Sequence, residues 1–204
     1  MTMLKTSRHF MERRSDTHVY FLTGPGSNWY PGVFEQAAAP DRPARRFNCG
    51  EQYVMYRKKL ACGDLRGAEA VMEVGPPDMA PILALLRDDP REALRLFHPY
   101  AKEQKRIGRT GPYDEAAWAA ARPQAAYAAC LAKSGQDPAV MAWLMGTGDR
   151  VLVEGSDKDD VWAVKLRWDD PRILDERNWA GGNLLGRTWG LVRAFHRRHA
   201  HLAA

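Results

Sequence analysis

RFNCGEQYVMYRKKLAC, residues 46–62, is the stretch whose reading decides the fold. Asn48 followed three residues later by Glu51 has the capping-box spacing, in which each side chain satisfies a backbone N–H that a helix start leaves unpaired. The spacing predicts a helix from about Cys49, stopped by Gly63 just after Cys62, with Asp64 capping the next one. Glu51, Met55 and Lys58 are four and then three residues apart. They therefore project from one face, with Glu51 and Lys58 about 10 Å apart along the axis. A carboxylate and an amine thus share one stripe, close enough for a small substrate to touch both. The same residues also have a purely structural reading, with Glu51 as a cap partner and Lys58 and Lys59 as a solvated face.

Around this stretch, 204 residues at 45% hydrophobic content are enough for one domain with a proper core. No run approaches the roughly 18 apolar residues of a membrane span, and the N-terminal sequence lacks the apolar stretch of a signal peptide. A soluble, cytoplasmic protein without membrane contact is expected. Three cysteines, Cys49, Cys62 and Cys130, have no CxxC spacing, so neither a disulfide framework nor a zinc site is indicated. A net charge of +5 suits anionic partners. The excess is partly concentrated at Arg8, Arg13 and Arg14 and at Arg193, Arg197 and Arg198, which read as solvated surface or as a nucleic-acid contact. Trp29, Trp179 and Trp189 sit beside Asn or Gly, and Trp162 two residues after Asp160, where a flat ring lines a pocket as readily as it fills a core.

Residues 1–16 are polar and basic without a period and read as a loosely held arm, with the folded domain over 17–204. Residues 18–23 (HVYFLT) read as a strand, and 33–36 as a second. Between them Asn28, Trp29, Tyr30 and Pro31 pack an amide among aromatics, which suits a structural turn and equally a loop that stacks a ring. Residues 37–44, with Pro40 and Pro43, read as a loop. Helices follow over 64–74, 79–87 and 89–97, the last with an Asp cap and Pro90 at its first position. Arg106, Gly108 and Arg109 form either an exposed turn or a phosphate clamp, since guanidinium matches phosphate oxygens in pairs. A long Ala-rich helix over 114–133 carries Pro123, which should kink or divide it. A helix from Asp137 to Met145 and strands over 151–154 and 161–166, joined by an acidic turn, lead to a last helix ending near Arg198. His196, His199 and His201 have no carboxylate or cysteine beside them and lie at a terminus, so no metal site is assigned.

Taken in order, several segments resemble the motif series of the NADAR, or YbiA-like, family. They are Asn28-Trp29-Tyr30-Pro31; Phe47 to Tyr53 with Lys58; Gln104 to Arg109; Leu131-Ala132-Lys133; Thr147-Gly148-Asp149; Leu152-Val153-Glu154; Asp159 with Trp162; and Asn183-Leu184-Leu185-Gly186. The resemblance implies a single compact α+β domain, mainly helical with a few short strands. It also implies hydrolysis of an N-glycosidic bond to ribose, with no metal or cofactor. Two substrate classes are implied: ADP-ribose on a nucleobase such as guanine in DNA, removed by antitoxin-like members opposite a toxin partner, and phosphorylated riboflavin-pathway intermediates. Carried across by position, Glu51 matches the active-site acid, Lys58 the helix lysine, and Arg109 a glycine-arginine motif assigned to phosphate. Glu154, Asp159 and Trp162 match a second acidic cluster and its aromatic wall, while Asn28, Trp29, Asn48, Asn183 and Gly186 fall in ligand-binding motifs.

This chain departs from the family pattern twice. After its tryptophan the family usually has glycine, any residue, glycine, where this chain has Ala163, Val164 and Lys165. A substrate change, impaired catalysis or a non-catalytic ADP-ribose sensor would each follow from that loss. An insertion at about residues 75–100 is expected to form a helical pair that covers the pocket or binds a partner. For the chemistry, Glu51 is expected as principal acid or base, with Asp159 or Glu154 supporting the sugar cation around a shared hollow. Lys58 either positions phosphate or attacks the anomeric carbon as an amine.

Overall fold

In the computed structural model, residues 4–39 and 41–200 are described. Pro40 of the expected loop, the first three residues of the expected arm and His201 lie outside them. The fold is α+β and mainly helical, and the chain divides into two units, Asn28–Asp137 and Met1–Ser27 with Pro138–Ala204.

The first of these begins with an antiparallel hairpin of β4 (Pro31–Ala37) and β5 (Ala44–Cys49), paired Phe34 to Phe47 and Gln36 to Arg45, with a register shift between Pro31 and Phe34. β5 was not expected from its charged sequence, because only Phe47 and Cys49 face inward and the ladder to β4 supplies the rest. α1 (Gly50–Ala61) follows without a break. It packs on the hairpin through an aromatic cluster in which Phe47 stacks with Phe34 at 5.6 Å and meets Tyr53 edge-on at 5.0 Å. α2 (Leu65–Glu73), α4 (Pro90–Gly108) and α5 (Glu115–Gln136) surround α1, and α3 (Ala80–Asp88) lies on α4. Two expectations change here. α4 does not stop at Phe97 but runs through Pro99, because Phe97, Ala101, Gln104 and Gly108 form one buried stripe at helical spacing. α5 is continuous through Pro123 rather than divided.

The other unit is built on a sheet in the order β1 (Lys5–Thr6), β2 (Glu12–Arg14), β3 (His18–Phe21), β6 (Val151–Glu154). β3 and β6 are parallel, with Phe21 opposite Glu154. The expected loose arm is corrected over β2: Glu12 and Arg13 are 5% and 8% exposed. Glu12 accepts from Trp143 Nε1 at 2.7 Å, and Arg13 lies over Tyr20 and donates to the Asp170 carbonyl at 2.7 Å. A basic segment thus becomes ordered because its charges find buried partners. α6 (Pro138–Gly146) and α7 (Leu184–His199) complete the unit, with two short 3₁₀ turns at Pro171–Leu174 and Glu176–Asn178. Trp189 is fully buried, donates to the Gly26 carbonyl at 2.7 Å and meets Trp143 edge-on at 5.5 Å. The strand expected over 161–166 does not form. The segment makes a single backbone bond to β6, Val164 N–H to Glu154, and is otherwise held by residues 180–185. Lys165, at φ 63°, turns the chain out of any ladder. No helix among the described residues is long and apolar enough to cross a membrane.

Candidate active site

In the unit Asn28–Asp137 the site is assembled at the start of α1. The cap residue is Cys49, whose Sγ accepts from the Gln52 N–H at 3.4 Å, while Gln52 Oε1 accepts from the Asn48 N–H at 2.8 Å. The capping arrangement expected of Asn48 and Glu51 is therefore corrected by one position, and the helix starts at Gly50. The Glu51 N–H instead donates to the Asn28 carbonyl at 2.8 Å, and the Glu51 side chain is 9% exposed. A methyl added at Gly50 would lie 3.1 Å from Asn28 Oδ1 and 3.3 Å from Lys133 Cδ. The absence of a side chain at Gly50 thus brings Asn28, the first turn of α1 and Lys133 together.

Lys133 carried no role in the sequence reading. It is 2% exposed, and its Nζ lies 5.7 Å from the centre of the Tyr30 ring. Burial lowers its pKa below the usual lysine value, against the pull of Cys130, Cys49 and Asp137. Burial pushes the Cys49 thiol up to about 12, and burial with the nearby Asp137 pushes the Tyr30 hydroxyl up to about 12. The signal was present in the sequence. Lys133 falls seven, four and three residues after Ala126, Ala129 and Cys130, on the stripe that α5 buries.

Asn48 is engaged elsewhere. Its Oδ1 accepts from Gln104 Nε2 at 2.8 Å and its Nδ2 donates to the Val74 carbonyl at 3.2 Å. Gln104, fully buried, also donates to Val74 and accepts from Cys49 Sγ. Both halves of the Asn48 amide thus have protein partners, in a polar tie between β5, α4 and the end of α2. Trp29 is half-buried, packs on the cluster of Cys49, Ile82, Ala93, Phe97 and Ala101, and carries Lys105 Nζ over its ring at 5.1 Å. Residues 75–100 contain α3 and the first half of α4, which rest on Trp29 and Cys49.

Lys58 lies two turns along α1 from Glu51, half-buried, with Nζ 4.6 Å from the centre of the Tyr113 ring. Burial first, then Lys59, Arg109 and Arg122, lower its pKa, with Cys62 acting in the opposite direction. Arg109 is exposed at the C-terminal cap of α4. The preceding glycine has a packing reason: a methyl at Gly108 would fall 2.2 Å from Met55 Sδ of α1.

In the other unit Glu154 ends β6, half-buried, with its N–H on Asn183 Oδ1 at 3.1 Å. Asn183, at φ 48°, also donates from Nδ2 to the Leu152 carbonyl at 2.9 Å. A methyl at Gly186 would stand 2.0 Å from the Leu152 carbonyl oxygen. Asn183 and Gly186 thus meet the backbone of β6: the amide stands in for a neighbouring strand beside Glu154, and the glycine lets α7 approach. Asp159 Oδ1 accepts from the N–H groups of Val161 and Trp162 at 2.9 and 2.7 Å, a turn that fixes the half-buried Trp162 ring beside it. Ala163 and Val164 are fully buried, whereas Lys165 is exposed and keeps the left-handed backbone that glycine favours.

The basic ends are less available than their charge suggested. Arg14 pairs with Glu12 at 2.7 Å, and Arg197 with Asp149 at 2.6 Å. Arg193 is buried on Thr147 Oγ1 and the Arg150 carbonyl.

The chain is similar to known proteins over most of its length. The model of the NADAR domain matches residues 10–195. Protein irg-1 of Caenorhabditis elegans is 30% identical over 200 residues, 93% of this chain and 84% of that protein. N-glycosidase R617 of Acanthamoeba polyphaga mimivirus is 25% identical over 167 residues, 82% of this chain and 84% of the viral protein. The NMR structure of the E. coli protein YbiA shares the fold, with a TM-score of 0.61 at 20% identity over 95% of this chain and 91% of that one. With a family model spanning nearly its whole length, the chain belongs to the NADAR domain family.

Proposed function

We propose that the protein is an N-glycosidase that hydrolyses a ribosyl C–N bond, releasing ADP-ribose from a modified nucleobase such as guanine in DNA. The observation that carries this reading is the setting of Glu51: a nearly buried carboxylate in the first turn of α1, its backbone fixed on Asn28, with the capping bonds made by Cys49 and Gln52. The name of the viral relative, N-glycosidase R617, points the same way.

Cleavage of such a bond needs a proton for the departing base and negative charge near the anomeric carbon as it becomes cationic. Glu51 is assigned the acid or base role. Glu154 and Asp159 are assigned support of the sugar cation or orientation of water, and Trp162 an aromatic wall. Arg109 is assigned to phosphate. Lys58 has two roles compatible with its lowered pKa: a phosphate contact, or an amine that attacks the anomeric carbon and opens the ribose as an imine.

The test is incubation with ADP-ribosylated DNA and, separately, with a ribosylaminopyrimidine phosphate, following released sugar by mass spectrometry. Release from DNA alone is expected. Release from the pyrimidine alone would reassign the enzyme to riboflavin-pathway intermediates, and ADP-ribose binding without release from either would reassign it as a sensor.

A further inference from the structure

The loop over residues 109–114 between α4 and α5 is held more firmly than a connection requires. Lys59, 2% exposed, bonds Asp64 Oδ2 at 2.7 Å and also donates to the Thr110 carbonyl. Gly111 follows at φ 76°, where a methyl would stand 2.8 Å from Asp64 Oδ2 and 3.3 Å from Lys59 Nζ. Pro112 fixes the next turn of backbone. On the far side, Cys62 Sγ accepts the Asp114 N–H at 3.4 Å, and Asp114 caps α5 through the Ala117 N–H at 3.0 Å. α1 thus clamps both ends of the loop.

The clamp presents Tyr113, 54% exposed, with Lys58 Nζ 4.6 Å from its ring centre. Its hydroxyl donates to Glu115, and Glu115 also pairs with Arg122 at 3.0 Å. Arg122 lies over the Trp118 ring at 5.5 Å, and its Nε, shielded from solvent, has no acceptor among the described residues. Arg109 stands exposed at the C-terminal cap of α4, where this loop begins, and Arg122 reaches Tyr113 through the shared Glu115. In keeping with that, burial first and then Lys59, Arg109 and Arg122 lower the Lys58 pKa. Lys59 is already neutralised by Asp64. Lys58, Arg109 and Arg122 remain, with Glu115 paired to Arg122 and to the hydroxyl of an exposed ring fixed from its edge.

We infer that Tyr113, Lys58, Arg109 and Arg122 form a nucleoside-phosphate subsite, with a nucleobase on the Tyr113 ring and phosphate on the three cations. Lys58 covers one face of the Tyr113 ring, and a ring with an ammonium on one face and its other face offered to a base suits a ligand that is flat at one end and anionic at the other. The inference deepens the hydrolase reading, takes Lys58 in its phosphate role rather than as the attacking amine, and rests on that reading only for the expectation that the occupant is the nucleotide half of the substrate distant from the scissile bond. It gives the enzyme a reason to prefer a substrate with a second nucleotide over a simple ribosyl phosphate.

The test is calorimetric titration of the full chain with ADP-ribose, ribose 5-phosphate and a short single-stranded oligodeoxynucleotide, repeated for Tyr113→Ala and Tyr113→Phe. Stacking predicts a loss of about tenfold or more in ADP-ribose affinity for Tyr113→Ala, none for Tyr113→Phe, and unchanged ribose 5-phosphate affinity throughout. If the oligodeoxynucleotide shows that pattern instead, the occupant is a nucleotide of the strand. Equal affinities of wild type and Tyr113→Ala for both nucleotide ligands, binding of neither, or an equal loss in Tyr113→Phe would overturn the subsite. Glycosidase turnover is scored separately. Its absence with Tyr113-dependent binding intact removes the hydrolase reading and leaves the subsite standing.

Discussion

The Glu51 N–H donates to the carbonyl of Asn28 at 2.8 Å, which registers the first turn of α1 against the loop that carries Trp29 and Tyr30. Because the bond uses main-chain atoms, it survives substitution of the Glu51 side chain. Cys49 and Gln52 make capping bonds at this helix start.

Glu51→Gln should therefore fold as the wild type does and lose the reaction. A fall of about 10²- to 10⁴-fold in turnover is expected for loss of a general acid or base. Thermal melting and sugar release, measured on one preparation, separate the two effects. Full activity in the folded variant would return Glu51 to a structural role.

For Lys58 the two roles are separated by borohydride. If the amine attacks the sugar, reduction during turnover traps an adduct in the wild type and none in Lys58→Ala, read as a mass increase. The trapping rate should rise with pH and level off below the ordinary lysine value of 10.5, because burial favours the neutral amine. No adduct under turnover conditions leaves Lys58 with phosphate alone.

Lys133 makes a prediction about stability. Its pKa is lower in the folded chain than the 10.5 of an exposed lysine, so in the window between the two values the unfolded chain binds more protons. Stability contributed at this site is therefore smallest below the folded pKa and increases as pH rises toward 10.5. Cys49 and Tyr30 act in the opposite direction above their ordinary values of 9.0 and 10.0, since burial keeps both protonated. Denaturant unfolding of wild type and Lys133→Met across this range removes the shared terms. The difference, wild type minus variant, should grow with pH, and a flat difference would show that the amine is not desolvated.

Gly186→Ala tests the approach of α7 to β6. Its methyl would meet the Leu152 carbonyl at 2.0 Å and Asn183 Oδ1 at 2.5 Å, backbone and a buried amide that cannot swing aside. A destabilisation of about 1–3 kcal/mol is expected from such overpacking, seen as a lower denaturant midpoint. Because the displaced strand ends at Glu154, turnover should fall with it.

Lys165→Gly should act in the other direction. A lysine at φ 63° carries a steric cost that glycine relieves, and its side chain is exposed, so stability should rise by up to about 1 kcal/mol. A restored turnover in the same variant would mean that the lysine side chain, rather than the backbone, hinders the substrate.

What the sequence made legible was local. Gly63 and Asp64, Asp89 with Pro90, and Asp114 mark helix ends within a residue of where they fall, because capping depends on neighbours in the chain. Glu51 and Lys58 were found by spacing on one helix. What stayed hidden depended on distant partners. β5 exists through its ladder with β4, and β2 is ordered by Trp143 and Asp170. α4 passes Pro99 because its buried stripe outweighs one missing backbone donor. For the motif asparagines at 48 and 183, which the family resemblance marked for ligand, the amide partners that tie elements together lie on distant segments and could not be read from the chain.

The parallel pairing of β3 with β6 has a consequence for biosynthesis. Tyr20 and Phe21 emerge early from the ribosome, yet Val153 and Glu154, their hydrogen-bonded neighbours, are translated only after the whole segment between them. During that interval the early strand presents two large aromatic side chains and an open edge, the kind of surface that chaperones capture. Residues Asn28–Asp137, by contrast, form a compact unit of their own that is complete once Asp137 has been added. The nascent chain should therefore acquire protease resistance first in its middle and last at its two ends.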